Sequence, residues 1–302
     1  MKRVLTALVL APLVLAAVFW LPLWIFSIVV GAIALLAAHE FLNIAETGGI
    51  ETVRGATFLF IALLFVAFPL TANSHSSLPV AGDMVLAVPL SPLLGLAAII
   101  AAAFFTLALG MRREDFAGSL PGAAVSVFAI PYIALTLGAL VLLRDLRFGA
   151  YYILYLFVVV WSGDIFAYYA GRAFGRHLMA PRVSPKKTWE GAVAGFISAT
   201  ALGAAFWLCA PQITGALARI HALGPATRGT LGAPVLWHGI VLSAVLNAIA
   251  QVGDLVESMI KRGSGVKDSG TLLPGHGGIL DRIDALLFAA PVMWYCVFLA
   301  AL

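Results

Sequence analysis

Apolar windows near the roughly 20 residues that a helix needs to cross hydrocarbon recur along the entire 302-residue chain, and no other feature constrains the fold as strongly. Within a bilayer every backbone N–H and C=O must be satisfied internally, so single apolar windows of this length are expected to be helices. They predict nine spans, at 4–20, 23–38, 56–72, 87–110, 121–143, 150–170, 191–210, 234–257 and 283–302. Charged residues make up only 11% of the chain, against about one quarter in soluble domains. The expected fold class is all-α, a polytopic integral membrane protein with no room for a soluble domain. The first window follows Lys2 and Arg3, as a signal peptide would, but no small-residue cleavage site precedes Pro22, so a retained helix is expected.

Basic residues give the expected orientation. With a cytoplasmic N-terminus and nine crossings, 14 of the 18 Lys and Arg residues fall on the cytoplasmic side. Only Arg144, Arg147, Arg219 and Arg228 fall on the other, as the excess of Lys and Arg in cytoplasmic loops requires. Because these cations sit at helix ends on one face, anionic head groups and phosphorylated substrates are the expected partners, and nucleic acid is not. Cys209 and Cys296 fall within expected spans and have neither a disulfide nor a metal spacing.

Polar groups are distributed unevenly. Residues 1–150 read as scaffold helices, and residues 151–302 as the functional region, because nearly all intramembrane polar groups fall there. In the first half His39 and Glu40 are adjacent, so on a helix they point apart, and they read as interfacial residues rather than a metal site. The segment 73–86 reads as an outer loop, and residues 211–233 as a longer one holding a short amphipathic helix.

Three constellations carry chemistry. In "LNAIAQVGDLVESMIKRG", Asn247, Gln251, Asp254 and Ser258 form one polar stripe on a helix. A carboxylate within a span costs roughly 2.5 to 3.5 kcal/mol on insertion scales, so Asp254 is expected at a site, whereas Asn247 and Gln251 also suit a helix seam. In "WSGDIFAYYAGR", Asp164, Tyr168 and Arg172 share a second stripe. "RVSPKKTWEG" sets Ser184, Lys186 and Lys187 in a short basic turn at the membrane surface. Span parity brings all of these to the same face as "PGHGGILDRID", where Gly275, Gly277 and Gly278 can present N–H groups to a phosphate, and Asp281 and Asp284 share a helical face. Carboxylates among Lys, Arg and glycine suit a divalent cation and phosphate, since magnesium takes one or two carboxylates plus substrate oxygens.

The run Ser258 to Asp284, "SMIKRGSGVKDSGTLLPGHGGILDRID", resembles the signature of the phosphatidate cytidylyltransferase (CDP-diacylglycerol synthase) family at Ser258, Lys261, Arg262, Lys267, Asp268, Pro274, His276, Gly277, Gly278, Asp281, Arg282 and Asp284. Trp161 to Gly191 is also similar to the region that precedes it. The resemblance implies a polytopic, dimeric inner-membrane enzyme that joins CTP to phosphatidate with Mg²⁺, releasing pyrophosphate. On this reading Asp254 and Asp281 are the principal metal ligands, with Asp284 and Asp164 supporting them or holding a second cation. Ser184, Lys186, Lys187, Lys261, Arg262, Arg172, Gly277 and Gly278 bind substrate; Lys267, Arg282 and His276 join Asp254 and Asp281 as catalytic residues, His276 without a fixed role. Two readings of the residues stay open: a secondary transporter with an intramembrane charge relay, and a CTP-dependent enzyme acting on polyprenol or another lipid phosphate.

Overall fold

A computed structural model describes residues 2–71, 75–79, 85–112, 116–223, 230–232, 234–272 and 277–301, with side chains described at these positions outside 2–9, 75–79, 85–91 and 300–301. The described residues are all-α apart from two short hairpins. In order it forms α1 (Lys2–Trp20), α2 (Leu23–Thr47), α3 (Arg54–Thr71), β1 (His75–Pro79), β2 (Val85–Pro89), α4 (Leu90–Gly110), α5 (Ser119–Ala129), α6 (Thr136–Asp145) and α7 (Gly149–Phe174). Then follow β3 (Leu178–Ala180), β4 (Ser184–Thr188), α8 (Trp189–Leu208), α9 (Ala210–Arg219), α10 (Leu236–Gly263) and α11 (Leu280–Ala301).

Among the described residues eight helical stretches are long and apolar enough to cross a membrane. They match eight of the nine expected spans; the other, 4–20, falls on α1, whose described apolar part is the shorter Leu10–Trp20. Large apolar side chains such as Leu63, Val66 and Phe104 lie on the outside of the bundle, where hydrocarbon rather than water is their solvent. The protein is a multi-pass membrane protein.

One expected span is not a uniform helix. Between α5 and α6, residues Ile130–Leu135 wind as a π-helix with Pro131 at its start. Proline lacks the N–H that would continue the α-helical ladder and its ring crowds the preceding turn, which accounts for the widened turn here. The expected outer loop at 73–86 contains paired strands, β1 and β2, in antiparallel register from His75↔Pro89 to Pro79↔Val85; residues 72–74 and 80–84 lie outside the described residues. The short helix expected after 210 is α9, which buries Ala210, Thr214 and Leu217 on one face.

α7 is the axis of the fold. Tyr151, Ile153, Tyr155 and Leu156 in its first half are fully buried, and the Tyr155 hydroxyl bonds to Ser243 Oγ of α10 at 2.6 Å. Its second half comes very close to α8 through glycines. A Cβ on Gly195 would lie 2.7 Å from the Gly163 carbonyl oxygen, and one on Gly191 2.7 Å from that of Ala167, so only hydrogen fits at either position. This approach fixes Asp164, the residue after Gly163, against the start of α8 and everything attached to it.

Candidate active site

The segments expected on one face meet at one end of the bundle. There α7, α8, α10 and β4 surround a cavity of about 550 Å³. The α7 stripe lines it in full, with Asp164, Tyr168 and Arg172. Lys186 and Lys187 enter from β4, and Gln251 and Asp254 from α10. Asn247 and Gln251 serve the helix seam: Gln251 Nε2 donates to Asn247 Oδ1 at 2.7 Å and to the Ala192 carbonyl at 3.2 Å, linking α10 to α8.

The basic turn is the second strand of a hairpin rather than a simple loop, paired as Leu178↔Thr188 and Ala180↔Ser184. Two anchors hold it to α8. Thr188 is in extended conformation and its Oγ1 accepts the Gly191 N–H at 3.2 Å, which caps α8. Glu190, in the first turn of α8, accepts the N–H groups of Arg176 and His177 and lies 2.6 Å from His177 Nδ1, so its carboxylate also suits the positive end of the helix. On the other side Arg262 donates from Nε to the Val183 carbonyl at 3.3 Å and from an Nη to that of Val266 at 3.2 Å. Arg262 therefore straps the hairpin to the end of α10. Ser184 is half-buried at the start of β4, outside the cavity lining.

Lys187 Nζ stands 2.6 Å from Asp254 Oδ2, both groups about one-third exposed. Asp164 lies within electrostatic reach of Asp254, Lys187 and Arg282. Asp284, on the α10-facing side of α11, is within reach of Asp254, Glu257 and Asp164, while its Oδ1 accepts the Ala285 N–H of its own helix at 2.8 Å. Asp164, Asp254 and Asp284, from three helices, thus act electrostatically on one another, and Asp164 and Asp254 both line the cavity. Asp164 is exposed and Asp254 about one-third exposed, and carboxylates within reach of one another favour a cation that joins them.

Asp281 is occupied differently. Its Oδ1 receives Lys261 Nζ at 2.5 Å, and its Oδ2 accepts the N–H groups of Ser269 and Gly278, both at 2.9 Å. The expected phosphate-facing N–H of Gly278 is therefore directed at Asp281. Gly277 adopts φ +79°, a left-handed turn that needs glycine. Lys261 also stands 2.5 Å from Glu257 Oε2, though outside hydrogen-bond geometry, so neither buried Glu257 oxygen has a hydrogen-bond partner among the described residues. Arg282, Lys267 and Asp268 are exposed around this core. His276 lies outside the described residues.

Two acidic residues of this end, Glu257 and Glu40, are not assigned to the site by the sequence. Glu257 follows Asp254 by three positions and precedes Lys261 by four, so its spacing was a usable signal. Glu40, read as interfacial, is buried and bonds to the start of α11, some 240 positions away in the chain. No local pattern announces a contact of that kind.

A helical membrane bundle with Lys and Arg facing carboxylates across a cavity at one end has the charge pattern that suits phosphorylated substrates at a bilayer surface. The chain matches the sequence profile of the cytidylyltransferase family over residues 1–300, and it belongs to that family. It is 34% identical over 308 residues to the phosphatidate cytidylyltransferase of Haemophilus influenzae, covering 98% of both chains. It is 35% identical over 294 residues to the enzyme of that name from Pseudomonas aeruginosa, covering 96% of this chain and 94% of the relative. With the Brucella melitensis phosphatidate cytidylyltransferase it shares 43% identity over 172 residues, 57% of this chain and 55% of the relative.

Proposed function

We propose that this chain transfers the cytidylyl group of CTP to phosphatidate, giving CDP-diacylglycerol and pyrophosphate. The observation that carries the reading is the cavity in which Lys186, Lys187 and Arg172 face Asp254 and Asp164 at the end of the membrane helices. The whole-chain likeness to relatives named for this reaction supports the choice of substrates. The enzyme works in the cytoplasmic membrane, with the basic end toward the CTP pool; the 14-to-4 division of Lys and Arg supports that orientation.

The chemistry asks little of a general base. A phosphate monoester has a second pKa near 6, so phosphatidate is largely a dianion at pH 7. One of its oxygens attacks the α-phosphorus of CTP, the new P–O bond forms, and the bond to the β-phosphate breaks to release pyrophosphate. The barrier comes from bringing two polyanions together, and fixed cations lower it most. Lys186, Lys187 and Arg172 hold the phosphates in the cavity, and Arg282, near Asp164, steadies the leaving group.

The donor set fits magnesium. Asp164, Asp254 and Asp284 are oxygen donors with a single lysine among them, on Asp254. Among the described residues no three or more His, Cys, Asp or Glu side chains close on a metal position. An ion that keeps waters and takes substrate phosphate oxygens needs no such cage. Magnesium, when bound, neutralises phosphate charge as it develops. Asp254 would hold it with Asp164 and Asp284 in support, and Asp281 would join by exchanging Lys261.

The test is turnover by the purified full chain in detergent with phosphatidate, labelled CTP and magnesium. CDP-diacylglycerol is the expected product, with little label in a polyprenol acceptor. Label only in the polyprenol, or solute transport in liposomes without CTP consumption, would overturn the reading.

A further inference from the structure

We propose that Glu40, from the second helix of the chain, is a positioning residue for the reaction: it fixes the start of α11, and through Ser269 the geometry of Asp281. The inference rests on the functional reading above and extends the working parts of the enzyme into its N-terminal half.

Glu40 is 5% exposed. Its Oε1 accepts the Ile279 N–H at 2.9 Å, and its Oε2 accepts both the Leu280 N–H and the Ser269 hydroxyl at 2.9 Å. The first N–H groups of a helix have no partner within it, and a carboxylate there also meets the positive end of the dipole. For α11 that acceptor comes from another helix. Ser269 Oγ, having donated to Glu40, accepts the Asp281 N–H at 3.3 Å, and the Ser269 N–H donates to Asp281 Oδ2. Asp281 is thus held at both its amide and its carboxylate by a residue that Glu40 holds in turn.

The surrounding loop is shaped to this carboxylate. A Cβ on Gly270 would lie 2.6 Å from Glu40 Oε1, and one on Gly278 would run into Ser269 Oγ and Glu40 Oε2. Glycine at these two positions lets the chain close over a charged group buried in α2. That closure accounts for part of the glycine content of the loop, which phosphate contact alone does not.

Glu40→Gln tests this, because it keeps the shape but turns one accepting oxygen into a donor facing an N–H or hydroxyl. The expected result is a fall in kcat of about 10- to 100-fold, the scale of a small misplacement of reacting groups. KM for CTP should stay within about twofold, as the cavity lysines are untouched. Amide hydrogen exchange at 277–284 should quicken, while Glu46→Gln, a charge removal on the same helix beside Arg54, should leave turnover and exchange unchanged. If Glu40→Gln does not fold, Ser269→Ala decides, with the same loss of kcat expected. Unchanged kcat in whichever variant folds, or a lowered melting temperature with normal kcat, would overturn the proposal. A wild type without CDP-diacylglycerol synthesis would instead sink the functional reading, and the exchange measurement would still decide whether Glu40 fixes this loop.

Discussion

Lys187 reaches from the β3–β4 hairpin to within 2.6 Å of Asp254 on α10, and this contact joins the basic surface of the protein to its intramembrane carboxylates. Because both side chains remain about one-third exposed, the pair itself adds little to stability. On the proposed function its value lies in what each partner would do when substrate arrives: the lysine would turn to phosphate and the carboxylate to a cation. Lys187→Ala is therefore expected to raise KM for CTP or phosphatidate about tenfold with little change in melting temperature. Asp254→Asn should lower kcat by two or more orders of magnitude, since removing a preorganised charge at such a site costs about 3–4 kcal/mol. Steady-state kinetics on both variants check this, and normal kinetics in Lys187→Ala would reduce the hairpin lysine to an orientation signal.

The α7–α8 approach makes a stability prediction. Gly195→Ala would place a methyl group 2.7 Å from the Gly163 carbonyl oxygen and 2.9 Å from the Ala167 Cβ, forcing the helices apart. Overpacking of this kind typically costs 1–3 kcal/mol, so the melting temperature in detergent should fall, and activity with it as Asp164 shifts. Gly55→Ala in α3, where nothing lies within 4 Å of the new Cβ, should melt at the same temperature or slightly higher. Equal melting temperatures for the two variants would refute the close-packing account.

Much of this was legible from residues alone, for physical reasons. Span positions follow from apolar length, and the gathering of Lys187, Asp254 and Asp281 at one end follows from counting crossings. The β3–β4 hairpin was not legible, because "SPKKT" pairs with only a three-residue strand and its register comes from Thr188 and Glu190 anchoring the start of α8. Gly278 was read as a phosphate donor from its lack of a side chain, but its N–H goes to Asp281, a choice made by the tertiary turn. The burial of Glu40 is not legible in the sequence, because a buried carboxylate is costly unless many donors reach it, and its donors are far away in the chain.

Lys261 separates two carboxylates, Glu257 and Asp281, each 2.5 Å from its ammonium group. Removing one partner of a buried charge cluster leaves the others uncompensated, at a typical cost of 3–5 kcal/mol. Lys261→Met should therefore melt well below the wild type and lose activity. Lys261→Met with Glu257→Gln, which removes one of the stranded negative charges, should recover part of the lost melting temperature. If the double variant is no more stable than the single one, the charge-compensation account of this trio is wrong.

The gathering of Asp164, Asp254 and Asp284 predicts how the enzyme responds to metal removal. Chelation of divalent cations should abolish turnover, and added magnesium should restore it, because substrate phosphates and three carboxylates then share a counter-charge. The three residues should differ in a titration. Asp254→Asn should not recover at any magnesium concentration, since Asp254 lines the cavity directly beside Lys187. Asp284→Asn, a residue outside the cavity lining but within electrostatic reach of Asp254, should shift the magnesium requirement upward by about tenfold and regain part of its turnover when the ion is in excess. Thermal shift of the protein without CTP gives a second readout: magnesium should raise the wild-type melting temperature by mass action and raise that of Asp254→Asn less. Full turnover of Asp254→Asn at ordinary magnesium, or equal thermal shifts in both proteins, would remove Asp254 from the metal site and leave the three carboxylates without their proposed cation.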